Sequence, residues 1–535
     1  MSLGAAVANA LWLATGLGAT RRFERALGDT GAAQRRWLLA QLQRHAASEF
    51  GQAHDFGALH SPADFARRVP LSCYDDVAPA IERVRRGARD VLAVGRVTHL
   101  APTSGSSGAR KLIPFTASLQ AGFNAAVNRW MNDLARQRPA LVGGPAYWSV
   151  SPLAEPEAVD AAGRPPDAIP VGFADDADYL GAGAAWLVRQ ALAAPSALRH
   201  VRDPQAFWAL TALALLRRRD LRLVSIWHPS FLTLLVEGAA IAWPALLDAI
   251  ASGDCPWIDA LPSAARDGWR VAPDAARSAE LRRIGAEEWT AWWPELQLVS
   301  CWGEQAAEAG WRALVQRLPH VLVQPKGLLA TEGVVTIPLH ATHVLAVTSH
   351  FFEFIDERGE ARLAHELERG GHYEVVITNG GGLWRYRLGD MVECTGQLRT
   401  APTLRFLGRT GRVSDLRGEK LSEPVVAEAL RAAWRGDAPP AYAALRAWTE
   451  RGRAGYELLI SDEVDVGDVD GIRARLEEAL HANPHYALAR RLGQLEPLRV
   501  AVVAHDAAVS ELRAHAGRLG DAKPRLLLPV VYAPP

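Results

Sequence analysis

Apolar positions along this chain recur with helical and strand periods in turn, and polar, glycine-rich stretches punctuate them. Within residues 21–50, Leu39, Leu42, Ala46 and Phe50 fall on one face, with arginines and glutamines elsewhere, which predicts a helix. A more charged helix is predicted over 76–88, a short strand over 97–100 and a long helix over 117–136. Residues 152–180 hold prolines, glycines and acids and read as an irregular connection, whereas 184–250 are mostly helical and rich in Ala and Leu. Strands are expected over 321–324 and 373–378. Asn379-Gly-Gly-Gly382 then turns the chain into a returning strand over 383–387, since Asn-Gly between apolar runs signals a hairpin.

After Phe406 the texture changes. The segment LGRTGRVSDLRGEKLSE is polar and glycine-punctuated, as a hinge is. Beyond it come a predicted helix (424–434), strand (456–460), helix (470–482) and strand (498–503), enough for a small α+β domain. The expected fold class is therefore α/β: a large N-terminal domain over 1–407 with mixed sheets flanked by helices, a hinge at 408–418, and a small mobile C-terminal lid over 419–535.

Length and composition agree with more than one domain. The 535 residues exceed one ordinary core, and 49% hydrophobic with 22% charged residues is a globular composition. A formal net charge of zero argues against a general nucleic-acid binder. Cys73, Cys255, Cys301 and Cys394 lie far apart with no zinc spacing, which points to reduced thiols and a cytoplasmic location. The apolar N-terminus has its arginines, Arg21 and Arg22, after the apolar run rather than before it. A helix packed on the domain is expected there, not a signal peptide or a membrane span.

The densest chemistry lies in TSGSSGARKLIP, from Thr103 to Pro114. Gly105 and Gly108 let successive N–H groups turn inward, Thr103, Ser104, Ser106 and Ser107 add hydroxyl donors, and Arg110 and Lys111 add charge. Such a loop suits a polyphosphate, and its expected place between a strand and the 117–136 helix favours anions. It is not a Walker A loop, because two residues separate Gly108 from Lys111 and Leu112 follows the lysine. Gly105 and Gly108 are too close for a nucleophile elbow.

Three further segments suit the same ligand. Thr331-Glu332 sets a hydroxyl beside a carboxylate that can hold Mg²⁺. Asp390, following a strand and a glycine in WRYRLGD, can accept both ribose hydroxyls. GRTGRVSDLRGEKLSE carries Arg409, Arg412, Lys420 and Glu423. Taken singly, each is as well explained by a solvent-facing turn or a charged loop.

The order of these motifs resembles the adenylate-forming superfamily that includes firefly luciferase and acyl-CoA synthetases. TSGSSGARKLIPFT, FFEFI (351–355), YRLGD (386–390), GEKLSE (418–423) and FARRVPLSCYDDVAPAIERVRRG (65–87) look more like one branch, the auxin-responsive Gretchen Hagen family of acyl acid amido synthetases. The resemblance runs from about Arg21 to KPRLLLP near the C-terminus. It implies an ATP- and Mg²⁺-dependent ligase that adenylates a carboxylic acid, releases pyrophosphate and passes the acyl group to an amine, usually of an amino acid. It implies phosphate binding by Thr103, Ser104, Gly105, Ser106, Ser107, Gly108 and Lys111, with Thr331 beside Glu332 as the metal ligand. Asp390 and Arg409 take the ribose, and Lys420 and Lys523 are brought in by a rotating small domain. Many superfamily members carry an aromatic residue against adenine where this chain has Leu328. The helix after the phosphate loop is expected to border the acyl site through Phe123, Val127 and Trp130, at i, i+4 and i+7. An acid–CoA ligase or a catalytically silent acyl- or nucleotide-binding protein is the alternative. Trp302 is the tryptophan nearest the Thr-Glu segment in a strand-like context.

Overall fold

The structure is a computed structural model. It describes residues 3–103, 111–149, 169–173, 176–266, 269, 272–304, 307–409, 413–414, 416–417, 419, 421–435, 442–450, 453–462, 468–491, 494–504 and 526–532.

Six helices open the chain: α1 (Leu3–Thr15), α2 (Leu17–Ala26), α3 (Thr30–His45), α4 (Glu49–Ala53), α5 (Pro62–Arg68) and α6 (Tyr74–Arg85). The single helix expected over 21–50 is thus three pieces. Asp29 stops the continuity by capping α3, its carboxylate accepting the Ala32 N–H at 2.9 Å. The α3 face that is buried carries Gln34, Leu38, Gln41, Leu42 and His45; of the predicted row, Leu42 is buried, and Leu39, Ala46 and Phe50 are half-buried and pack against the same cluster. Gln34 bridges elsewhere in the fold: its Nε2 donates to the Val347 and His350 carbonyls, both at 2.7 Å, and its Oε1 accepts the Phe352 N–H.

Next come β1 (Val97–Pro102) and β2 (Leu112–Thr116), an antiparallel pair, and then α7 (Ala117–Gln137). The phosphate-loop segment therefore joins two strands and does not lead directly into the helix. Pro114 sits inside β2 opposite Leu100, which a two-stranded ribbon tolerates because both of its strands are edges.

A parallel sheet follows in the order β3 (Ala146–Trp148), β4 (Leu223–Ser225), β5 (Leu298–Cys301) and β6 (Leu322–Pro325). Helices α8 (Ala182–Ala191) and α9 (Pro204–Leu216) lie in the first crossover, and α9 is buried on every side from Ala206 to Leu216. A short hairpin of β7 (Leu329–Ala330) and β8 (Gly333–Val334) leads into a seven-stranded antiparallel sheet. Its strands are β9 (Thr336–Leu339), β10 (Thr342–Leu345), β11 (Phe351–Ile355), β12 (Ala361–Leu363), β13 (His372–Thr378), β14 (Tyr386–Leu398) and β15 (Ala401–Arg409), in spatial order β12-β11-β13-β14-β15-β10-β9.

The C-terminal part has its own apolar core. It joins helices Glu423–Ala433 and Val469–Leu480 to a mixed sheet of β18 (Ala443–Glu450), β19 (Arg453–Ser461), β20 (Arg499–Val503) and β21 (Leu527–Tyr532). A two-stranded ribbon of β16 (Val413–Ser414) and β17 (Leu421–Ser422) precedes it. The chain is α/β, as its pattern predicts. All four cysteines are free, and no single described helix is long and apolar enough to cross a membrane.

The β13–β14 turn locks these layers together. Asn379 is fully buried, and its Oδ1 accepts the N–H groups of Gly381 and Leu383. The turn is pressed against the start of α7, where the Thr116 hydroxyl donates to the Gly380 carbonyl at 2.8 Å and also caps the helix. A Cβ on Gly381 would stand 2.7 Å from the Pro114 carbonyl oxygen, a contact with backbone that cannot swing away. Gly381→Ala is therefore expected to cost about 1–3 kcal/mol of stability, read as a lowered midpoint in urea unfolding. An unchanged midpoint would contradict this packing.

Candidate active site between the Thr-Glu hairpin and the last strands of the large sheet

Four ionisable side chains from separate parts of the sequence converge here. Glu332 lies in the turn between β7 and β8, is 8% exposed, and feels the charges of Arg409, Asp390 and Lys111. Burial dominates and holds its carboxyl above the ordinary carboxylate range. Its own backbone N–H and the two cations oppose that shift, while Asp390 adds to it.

Asp390 and Arg409 face each other across the β14–β15 ladder. The Arg409 Nε donates to the Asp390 carboxylate at 2.8 Å, with Asp390 buried and Arg409 half-exposed. The Asp390 charge is the main reason the guanidinium is held even more firmly protonated than usual. Asp390 was expected just after a strand; it lies inside one, because β14 continues through Gly389 to Leu398.

Lys111 marks the end of the phosphate-loop segment. Thr103 N–H donates to the Lys111 carbonyl at 2.9 Å and ties the two ends together, and the buried Thr103 hydroxyl has no hydrogen-bond partner among the described residues. The Lys111 ammonium lies 5.5 Å from the Tyr74 ring centre, and the Tyr74 hydroxyl accepts the Leu112 N–H. Ser104, Gly105, Ser106, Ser107, Gly108, Arg412, Lys420 and Lys523 lie outside the described residues.

Two residues to which the sequence assigned no part in the site hold the Thr331-Glu332 turn in place. Asn379 Nδ2 donates to the Glu332 carbonyl at 2.7 Å. His350, fully buried, accepts the Val334 N–H on its Nε2 at 3.2 Å. Burial pushes the His350 pKa down to about 3, so the ring stays neutral and can accept. Gly333 passes so near that a Cβ there would lie 2.5 Å from His350 Nε2. Asn379 had a sequence signal, the Asn-Gly-Gly-Gly run; His350 had none beyond its place before FFEFI.

The parallel sheet supplies the adjoining wall. Trp302 leaves the end of β5, its N–H bonded to the Trp227 carbonyl, and its ring meets Phe406 of β15 edge-on at 5.4 Å. Glu304 bridges to His343 at 3.1 Å and accepts the Phe406 N–H at 3.4 Å. Burial pushes the His343 pKa down, but the Glu304 bond and charge and the Pro325 carbonyl outweigh it and raise it overall. Leu328 is in the core at 3% exposure, its N–H donating to the Thr336 hydroxyl.

On α7, Phe123 and Trp130 are buried in the main core, and the Trp130 Nε1 donates to Gln324 at the end of β6. The Phe123 ring sits among Phe115, Tyr179 and His350. Val127 is half-buried and packs with Trp12 and Ala185, a different cluster.

In the C-terminal part, the buried Glu419 carboxylate accepts the N–H groups of Leu416 and Arg417, both at 2.7 Å, and the Tyr456 hydroxyl. Glu423 accepts the Leu526 N–H at 2.9 Å. The segments next to Lys420 and Lys523 are thus joined to one another.

This architecture is the acyl acid amido synthetase fold. A solved acyl acid amido synthetase, AtGH3.15 in complex with 2,4-DB, superposes with a TM-score of 0.81 over 94% of this chain and 92% of its own, at 18% identity. A 2-hydroxyisobutyryl-CoA ligase in its postadenylation state superposes more loosely, at 0.50 over 96% and 89%, with 14% identity. The chain belongs to the GH3 family: its N-terminal domain matches residues 19–321 and its central domain residues 343–409. Relatives include the indole-3-acetic acid-amido synthetase GH3.8 of Oryza sativa subsp. indica, 25% identical with 77% of this chain and 71% of that one covered. A GH3 domain-containing protein of Homo sapiens is 28% identical over 40% of this chain and 44% of its own.

The raised Glu332 pKa carries a stability signature. The folded state holds this proton more tightly than the unfolded chain, whose value is 4.5. Its contribution is therefore fully present below that pH and is lost as pH rises through the folded value. Without metal or nucleotide, Glu332→Gln should gain stability relative to wild type on going from pH 4 to pH 8, measured by urea unfolding at each. A wild-type-to-variant difference that does not change with pH would overturn the burial argument.

Proposed function

We propose that this GH3 protein is an ATP-dependent acyl acid amido synthetase. In the first step a substrate carboxylate oxygen attacks the α-phosphorus of ATP, the bond to the β-phosphate oxygen breaks, and pyrophosphate leaves. In the second step an amine, most simply that of an amino acid, attacks the acyl carbon. The acyl–oxygen bond breaks, AMP takes the electron pair, and the amine loses a proton to give the amide. The observation that carries this reading is the convergence of Lys111, Glu332, Asp390 and Arg409 from distant segments onto one half-buried site.

Within it, Asp390 accepts the ribose hydroxyls and Arg409 orients it while facing the nucleotide. Thr103, Ser104, Gly105, Ser106, Ser107, Gly108 and Lys111 cradle the phosphates, the orphaned Thr103 hydroxyl being one donor awaiting an acceptor. Thr331 and Glu332 serve Mg²⁺. The donor set suits that ion: a hydroxyl beside one carboxylate leaves the rest of the shell to phosphate and water, as Mg²⁺ commonly takes it. When bound, the ion offsets negative charge building on the phosphorus. With Leu328 in the core, the half-buried Trp302 ring offers an aromatic surface for adenine. Phe123, Val127 and Trp130 on α7 line the acyl side.

The unit from 419 to 535 acts as a lid that rotates about 408–418 and presents Lys420 in one step and Lys523 in the other. Their coupling through Glu423 and Leu526 fits movement as one body. Reduced, buried thiols at Cys301 and Cys394 suit a cytoplasmic enzyme.

Mass spectrometry of the protein with ATP, Mg²⁺, a panel of carboxylic acids, the common amino acids and CoA tests this. An amide together with AMP is the expected product; a thioester would place the chain among acid–CoA ligases instead. Glu332→Ala should lower pyrophosphate release at least about a hundredfold without unfolding the chain. Turnover like wild type would refute the metal role.

A further inference from the structure

Helix α1 carries no charged residue from Leu3 to Thr15 and reaches the body with one side only. Ala5 and Ala8 pack with Ala191, and Trp12 packs with Ala185 and Val188, so α1 runs antiparallel to α8. Asn9 fixes the helix by donating to the Val142 and Gly144 carbonyls at 3.2 and 3.0 Å.

The opposite side is apolar and open to solvent. Leu3, Val7 and Leu11 are 79%, 51% and 53% exposed at a spacing of four, one line along the helix. Leu17, 42% exposed, continues the line onto α2 past a 42° bend. Arg21 and Arg25 then occupy the same line and Arg22 lies beside it, all three exposed. The only acid of α2, Glu24, is bound to the buried Arg129 at 2.6 Å, and Asp29 is engaged in capping α3. In a chain with 59 basic and 59 acidic residues, this surface is an apolar row that ends in three outward cations. Trp186, 61% exposed on the neighbouring α8, adds an amphipathic ring.

We propose that the α1–α2 face docks this protein on the surface of an anionic lipid bilayer. The two helices lie in the plane of the interface, with the leucines and valine among the upper acyl chains and the arginines on lipid phosphates. Apolar burial and cation–headgroup attraction then act together, as they do for interfacial amphipathic helices. At 13 residues, α1 is too short to span a bilayer, and its inner side is committed to α8. This inference is independent of the activity proposed above.

Co-sedimentation of the full chain with phosphatidylcholine vesicles, alone or mixed with phosphatidylglycerol, tests it. Binding is expected to the mixed vesicles, weakening as salt screens the charges. Leu11→Glu should abolish it, and the pair Arg21→Gln and Arg22→Gln should weaken it about thirtyfold. All three positions are exposed, so an unchanged thermal midpoint verifies that each variant folds. Failure to pellet with anionic vesicles, or pelleting that Leu11→Glu leaves intact, overturns the proposal. So does a dimer in light scattering that Leu11→Glu splits while vesicles capture nothing, because a second copy would then cover the face.

Discussion

One carboxamide holds the site to the scaffold. Asn379 closes its own turn with Oδ1 and spends Nδ2 on the Glu332 carbonyl, so a single buried side chain fixes both the β13–β14 connection and the hairpin that carries the acid. Everything nearby depends on that contact. The β13 and β14 strands present Asp390 at a set register to Arg409, and the turn's glycines let the chain lie flat against β2 and the cap of α7. The order of strands thus becomes the order of charges. A buried amide with three satisfied bonds is costly to disturb, because loss of one partner leaves the others desolvated.

The site's electrostatics follow from an uneven sharing of direct cationic partners between two buried carboxyl groups. Asp390 is buried and hydrogen-bonded directly to a cation, the Arg409 guanidinium. Glu332 is equally hidden, and what it receives from Arg409 and Lys111 is attraction at a distance, outweighed by desolvation. Two carboxylates of one cluster are therefore set for different tasks. One already holds a cation, the Arg409 guanidinium; the other is held in readiness for a counter-charge from outside.

Much of this was legible in the chain itself. The alternation of helix and strand periods gave the α/β class, and the elements of the C-terminal core lie within a few residues of where periodicity places them, as Val469–Leu480 and Arg499–Val503 illustrate. Convergence of Glu332, Asp390 and Arg409 was legible only through the order of motifs, since nothing in a local window links residues nearly sixty or eighty positions apart. Periodicity failed where buried positions are polar. Gln34, Gln41 and His45 share the inner face of α3 with Leu38 and Leu42, so a pattern sought in apolar residues catches only part of it. It failed again at β2, where Pro114 disguises a strand that only a ribbon would accept, and so the phosphate-loop segment was set against a helix it does not adjoin. His350 carries no pattern of its own: its role comes from what passes close to it, which is three-dimensional information.

That close passage has an evolutionary side. The His350 ring is wedged between two glycines, with a Cβ on Gly122 falling 2.7 Å from its Cε1 and one on Gly333 falling 2.5 Å from its Nε2. A Cβ on Gly122 would also meet the Ser349 carbonyl oxygen at 2.6 Å, and one on Gly333 the Ile377 Cδ1 at 2.7 Å, so loss of the imidazole alone does not make room, while it strands the Val334 N–H and opens a void. The histidine and the two glycines are thus fixed together, each by contacts that neighbouring residues also enforce. A side chain at either glycine is therefore a clash that no single neighbouring change relieves.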